Sequence, residues 1–231
     1  NLTVKAGDLQ VLMGPNGSGK STLAYALMAH PHYTVTAGTL TFRGKDIRKL
    51  RTDERARLGM FLGFQYPIAI SGISLSSLLP TALRARTEKK KNKNSKQFLT
   101  LASRMRHEQN AALDALRTAI ATDVKKLNMP DETLYRSLNE GFSGGEKKKA
   151  ENIQMRALKP RLAILDEPDS GLDVDALKSI AAAIQSAQKE GTAILLITHY
   201  QRILRYLKPT AVHILRNGKI VESGGKELAR R

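Results

Sequence analysis

The sequence predicts an α/β protein with a mostly parallel core sheet, an inserted helical subdomain and a small antiparallel β part. Three observations lead there. The runs Leu162–Leu165 and Ala193–Ile197 are continuously apolar, as strands of a parallel sheet covered on both faces must be. Strand-like runs alternate with segments of helical spacing, the order that builds βαβ units. From about Ile68 to Leu158 the branched runs disappear and Leu, Ala, Lys and Arg dominate at helical spacing, which marks an insertion.

In chain order, Asp8–Met13 reads as a buried strand that ends in a glycine-rich turn, followed by a helix through Ser21–Ala29. Thr39–Phe42 and Met60–Phe64 read as further short strands. Leu58–Leu83 carries no charge, but Pro67, Pro80, three glycines and four serines break any membrane-spanning helix. It reads instead as a buried strand, a loop and the start of an amphipathic helix. After the insertion, Leu162–Leu165 is a parallel strand, and Asp173–Gln188 is a helix with Leu177, Ile180 and Ile184 on one side. Ala193–Ile197 is the next strand. Val212–Leu215 and Lys219–Val221 flank Asn217-Gly218, a hairpin signal. The division expected is a core over 1–67 and 159–231, with the helical subdomain over 68–158. The polar opening Asn1–Lys5, without an initiator methionine, reads as the start of a fragment.

The chain has no cysteine, which excludes disulfides, thiolate metal sites and a thiol nucleophile and fits a cytoplasmic location. Lys and Arg number 38 against 21 Asp and Glu, and part of that excess lies in Arg84–Lys96. Two readings of that run stay open: a solvated face, or contact with an anionic partner. No aromatic residues interleave its lysines to stack on bases, which speaks against nucleic acid.

The chemistry is concentrated at strand ends. Gly14, Pro15, Asn16, Gly17, Ser18, Gly19, Lys20 and Ser21 match the phosphate-binding pattern G-x-x-x-x-G-K-[ST] between a strand and a helix, with Thr22 next in line. The glycines let successive N–H groups curl around a phosphate, Lys20 supplies a mobile cation, and Ser21 offers a hydroxyl to Mg²⁺. Asp166, at the end of a buried strand, is the candidate to hold that magnesium from the other side. Glu167 beside it is the candidate general base for an attacking water. Gln65 and His199 end two other strands. Gln65 is placed to touch the magnesium and the insertion. His199 is placed to hydrogen-bond a γ-phosphate oxygen through a neutral imidazole, with a purely structural histidine as the alternative. Gly141–Glu151 (GFSGGEKKKAE) again runs a serine and two glycines into a helix-forming segment. Lying inside the insertion, Ser143–Gly145 cannot easily fold back over the first cradle of its own chain. A second copy, packed head to tail, brings it there.

Gly14–Ser21, Gln65, the signature Phe142, Ser143, Gly144, Gly145 and Glu146, the run Leu162–Glu167, the loop Ser170, Gly171, Leu172 and Asp173, and His199 together resemble an ABC-type ATPase, a P-loop NTPase. They keep that family's order over nearly the whole chain. At finer grain GMFLGFQYP (59–67), LNEGFSGGEKKK (138–149), DSGLDVDALK (169–178) and THYQRIL (198–204) are similar to the ATPase subunits, SufC, of the SUF iron–sulfur cluster assembly system. KPTAVHIL (208–215) and GKIVESGGKELA (218–229) extend that match. The resemblance implies an ATP- and Mg²⁺-dependent hydrolase that works with SufB/SufD-type scaffold proteins and pairs transiently on ATP, with the signature residues binding the partner subunit's ATP. It also implies that the aromatic that stacks on adenine precedes Asn1. Pro168 and Lys149 depart from the subfamily, which more often has a hydroxyl residue and an arginine there. Two competing readings are the nucleotide-binding subunit of a membrane ABC transporter, docking a permease near Gln65–Leu79, and a nucleic-acid-associated ABC protein suggested by the net charge of +17.

Overall fold

A computed structural model of the protein describes residues 1–87 and 114–230. In chain order it contains β1 (Leu9–Met13), α1 (Lys20–Leu27), β2 (Thr41–Phe42), β3 (Lys45–Asp46), α2 (Thr52–Leu58), β4 (Met60–Gly63), β5 (Ile70–Ser74) and α3 (Leu75–Thr87). A helix over 114–126, here α4, leads to β6 (Ser137–Leu138) and α5 (Gly144–Leu158). Then follow β7 (Leu162–Asp166), α6 (Val174–Lys189), β8 (Ala193–Ile197), β9 (Ala211–Arg216) and β10 (Lys219–Gly224).

The central sheet runs β10-β9-β1-β8-β7-β4, parallel except for β10. β8, and β7 up to Asp166, are apolar throughout because alternate side chains meet different helices, while Gln10 of β1 and His213 of β9 pair with each other. Leu9, Val11, Leu165, Ile194 and Leu196 share a cluster with Leu177, Ile180 and Ile184 of α6. Leu12, Ile164, Leu195 and Ile197 point the other way and share one with Ala24 of α1 and Met28. A third cluster belongs to the insertion: Leu75 and Leu79 of α3, Ile120 and Val124 of α4, and Phe142 and Ile153 at α5. The two layers around the sheet and the separate helical core follow the expected class.

Boundaries and details differ from the sequence reading. The strand expected over Thr39–Phe42 shrinks to two residues, which pair with β3 and not with the main sheet. Ile70–Ser74, read as loop, forms β5 and pairs antiparallel with β6, so the insertion has a small sheet at its base. Its apolar side chains did not alternate with polar ones, and a five-residue strand with a two-residue partner leaves no periodic signal. The helix α2 was not anticipated. It is anchored by Arg55, 1% exposed, whose guanidinium donates to the carbonyls of Ala26, Leu27, Arg48 and Leu50 and so closes the open end of α1. Asn217-Gly218 forms the anticipated turn with both φ values positive, 49° and 73°, as a type I′ hairpin turn needs. Of the basic run, 88–96 lie outside the described residues.

Candidate active site

β1, β4, β7 and β8 all end at one edge of the sheet, so the residues that follow them converge there. A cleft of about 450 Å³ opens at this edge, within the range of nucleotide-sized pockets. Asn16, Gly17, Gly19, Lys20, Ser21 and Thr22 line one wall; Gln65, Tyr66, Glu167, Ser170, His199 and Tyr200 line the other.

The loop wall is shaped for an anion. Gly19 takes φ 101° as the first residue before α1, and no side chain caps that helix end or places an acid in its first turn. The N–H groups there are free to meet a phosphate. Gly14 must be glycine for steric reasons: a Cβ would sit 2.2 Å from the Leu215 carbonyl oxygen. The loop is tied to the β9–β10 turn through Gly218 N–H donating to the Ser18 carbonyl at 2.9 Å. Lys20 Nζ donates to the carbonyls of Gly14 and Pro15 at 2.8 and 3.0 Å, which holds it across the loop mouth.

The opposite wall carries one carboxylate, Glu167, with a second, Asp166, buried next to it and not lining the cleft. Asp166 is 2% exposed, and neither carboxylate oxygen has a hydrogen-bond partner. Burial raises its pKa, against the pull of the neighbouring Ser21 hydroxyl, which faces it without meeting hydrogen-bond geometry. Glu167, 6% exposed, takes φ 48°, a left-handed value uncommon outside glycine and typical of constrained sites. Gln65 Nε2 donates to its Oε2 at 2.8 Å, and His199 Nδ1 lies 2.8 Å from its Oε1. The carboxylate is therefore held on both sides.

That contact gives His199 a partner in its own chain that the sequence did not name. A neutral ring that donates from Nδ1 to Glu167 has only a lone pair at Nε2, so it cannot also donate to a phosphate oxygen. Serving both requires both ring nitrogens to carry protons. Behind it, Thr198 Oγ1 donates to the fully buried Asp169, which fixes the loop leading to Ser170.

The signature turn is elsewhere. None of Phe142–Glu146 lines the cleft. Ser143 caps α5: its Oγ accepts from Glu146 N–H, and Glu146 Oε2 accepts from Ser143 N–H at 2.7 Å. Ser143 and Gly144 are exposed and Gly145 half-buried. Phe142 and Leu172, grouped above with the ligand-facing residues, are turned into the apolar interior at 8% and 5% exposure, so they pack and do not face solvent. Gly171 and Asp173 are exposed, and Asp173 caps α6 by accepting from Ala176 N–H.

Sequence reasoning missed Lys148 and Glu151, two buried charges on α5, and Tyr66 and Tyr200 in the cleft wall. The signal for the first pair was present: a Lys and a Glu three residues apart fall on the same face of α5 as Met155, the face that turns inward.

Comparison with known proteins places these features. The family model described as ABC transporter matches residues 1–170. Vegetative protein 296 of Bacillus subtilis is 44% identical over 231 residues, covering 100% of this chain and 82% of the relative. The probable ATP-dependent transporters ycf16 of Cyanophora paradoxa and slr0075 of Synechocystis sp. are each 44% identical, covering 100% and 99% of this chain and 83% of each relative. Among solved structures, an ATP-binding subunit of an ABC transporter superposes with a TM-score of 0.76 at 22% identity, over 99% of this chain and 83% of that one. MJ0796, a bacterial ABC transporter cassette solved as a dimer, gives 0.72 at 19% identity, over 98% and 88%.

Proposed function

The chain belongs to the ABC transporter family and is an ABC-type ATPase, and from that premise we propose that it is the ATP-hydrolysing subunit of the SUF iron–sulfur cluster assembly machinery, acting as an ATP-paired head-to-tail dimer. The observation that carries the pairing is the separation of the two anion sites: Ser143 and Gly144 are exposed and line no part of their own chain's cleft. A second copy supplies the missing wall.

In this reading Gly14–Ser21 wraps the phosphates, Lys20 leaves its carbonyl partners for the phosphate oxygens, and Ser170 faces the same space from the loop after β7. Ser21, Gln65 and the two unpartnered oxygens of Asp166 fit a hard cation such as Mg²⁺, which supplies charge neutralisation on the β- and γ-phosphates when bound. Among the described residues no group of three His, Asp or Glu could hold a metal ion by itself, so a cation held by Ser21, Gln65 and Asp166 would need further ligands from outside the chain. Glu167 accepts the proton of the attacking water, with Gln65 and His199 holding its carboxylate plane.

The SUF reading rests on the motif resemblance over 59–67, 138–149, 169–178 and 198–204. It also fits the exposed Tyr66, Ile68, Ile70 and Ile73 beside Gln65, an apolar strip suited to a SufB/SufD-type scaffold in the cytoplasm. The relatives' names, probable ATP-dependent transporters, favour a second reading, a transporter subunit docking a permease on that strip. No helix among the described residues is long and apolar enough to cross a membrane, so the permease would be a separate chain or segment. Tagged protein carrying Glu167→Gln, purified with ATP from source cells, decides between them. Recovery of two detergent-independent scaffold proteins supports the first reading, and recovery of a detergent-requiring membrane protein overturns it. Ser143→Arg is expected to abolish ATP-dependent dimers in sedimentation. Dimers that persist refute the shared site.

A further inference from the structure

The β4–β7 ladder ends at the pair Gly63↔Leu165, and the chain leaves the sheet there. Phe64 therefore has no strand partner for its backbone, and two side chains of α5 take over. Glu151 Oε1 accepts from Phe64 N–H at 2.7 Å, and Lys148 Nζ donates to the Phe64 carbonyl at 2.5 Å. Lys148 also reaches the Asp166 carbonyl at 3.5 Å and lies 3.8 Å from Glu151 Oε2. Both charges are buried, at 4% and 9% exposure, and Lys148 further faces Glu167 and Asp169.

A buried ion pair is a poor device for stability, because an apolar pair of similar volume does as well or better. Its value is specificity of position. Here the grip falls on the residue directly before Gln65, whose amide holds Glu167, and it comes from the helix whose first turn is the Ser143–Gly145 corner. We propose that Lys148 and Glu151 are positioning residues that clamp the Phe64 backbone to α5, so that the seating of the signature turn sets the Gln65–Glu167 contact. The proposal rests on Glu167 being the general base and Gln65 its holder.

A small displacement is enough to matter, since misplacing a catalytic group by about 1 Å costs up to about 10²-fold in rate. The test compares Lys148→Met/Glu151→Met, Glu151→Gln and Glu167→Gln in the full chain. The double variant exchanges the ion pair for an apolar one. It leaves the Phe64 N–H and carbonyl without their side-chain partners and is expected to melt somewhat below the parent, but to bind ATP equally well, since Gly14–Ser21 is untouched, while kcat falls by about 10²-fold with KM unchanged. Glu151→Gln keeps an oxygen for Phe64 N–H and is expected to retain most of the rate.

Parental kcat in the double variant, with Glu167→Gln inactive, overturns the proposal. So does a loss of kcat matched by an equal loss of ATP affinity, which is what general disruption of the fold gives. Should the double variant not fold, hydrogen exchange in the unaltered protein decides: slow exchange of the Phe64 amide supports the clamp, and exchange at the unprotected rate overturns it. A Glu167→Gln protein that hydrolyses ATP at the parental rate instead refutes the reading of the site itself.

Discussion

Replacing Gly14 with alanine tests how tightly the phosphate loop is built against the sheet. The added Cβ would lie 2.2 Å from the Leu215 carbonyl oxygen, against a floor of 3.0 Å for real contacts, so a gap of about 0.8 Å has to open. What must give is backbone. Leu215 lies on β9, which pairs with β1 up to Met13↔Ile214, and the same turn region carries the bond from Gly218 to Ser18. Overpacking of this kind costs about 1–3 kcal/mol. Loosening the Gly218–Ser18 hydrogen bond adds roughly 1 kcal/mol. Gly17→Ala is the matched control: φ is 76°, but nothing lies within 4 Å of its Cβ, so only left-handed strain of about 1–2 kcal/mol applies. In a chain of this size each kcal/mol moves the melting temperature by roughly 2–4 °C. Gly14→Ala is therefore expected to melt clearly below Gly17→Ala in scanning calorimetry. It is also expected to bind ATP more weakly in titration calorimetry, because the same 0.8 Å displaces the N–H cradle. Equal melting temperatures for the two variants would refute the packing argument.

Three further outcomes follow from the same geometry. Glu167→Gln is expected to keep ATP binding and lose about 10²–10⁴-fold in turnover, measured by phosphate release; an unchanged rate refutes the general-base role. Arg55→Leu removes the donor of four hydrogen bonds, two to the Ala26 and Leu27 carbonyls at the end of α1 and two to the Arg48 and Leu50 carbonyls before α2, and is expected to cost at least about 3 kcal/mol in urea unfolding, although Arg55 lines no part of the nucleotide cleft. His213 is held between Ser223 and Gln10, and burial lowers its pKa from 6.5. The folded state thus favours the neutral ring: its contribution is intact above pH 6.5 and is lost as pH falls toward the lower folded value. His213→Gln is expected to flatten the acid side of the stability profile, and an unchanged acid slope counts against it.

Much of this molecule is legible in one dimension because its signals are local. The phosphate loop needs only glycines, Lys20 and Ser21 between a strand and a helix, and those are contiguous. The strands of the parallel sheet announce themselves because both of their faces are covered, so no polar residue interrupts Leu162–Leu165 or Ala193–Ile197. Strand ends were identified for the same reason, and Gln65, Asp166, Glu167 and His199 could be nominated from their positions alone. The short β5–β6 pair and α2 escaped because neither carries enough residues to show a period, and what stabilises them is contact with distant segments.

Composition and motif order determined the family, the α/β class and the residues that meet at the strand ends. Tertiary structure decided how those residues hold one another: that Glu167 is gripped by Gln65 and His199, that Phe142 and Leu172 turn inward, and that Lys148 and Glu151 are buried against Phe64. The reason is that hydrogen bonds between a strand end and a helix more than eighty positions away depend on how the helical insertion seats on the sheet, and that seating leaves no periodic trace in the chain.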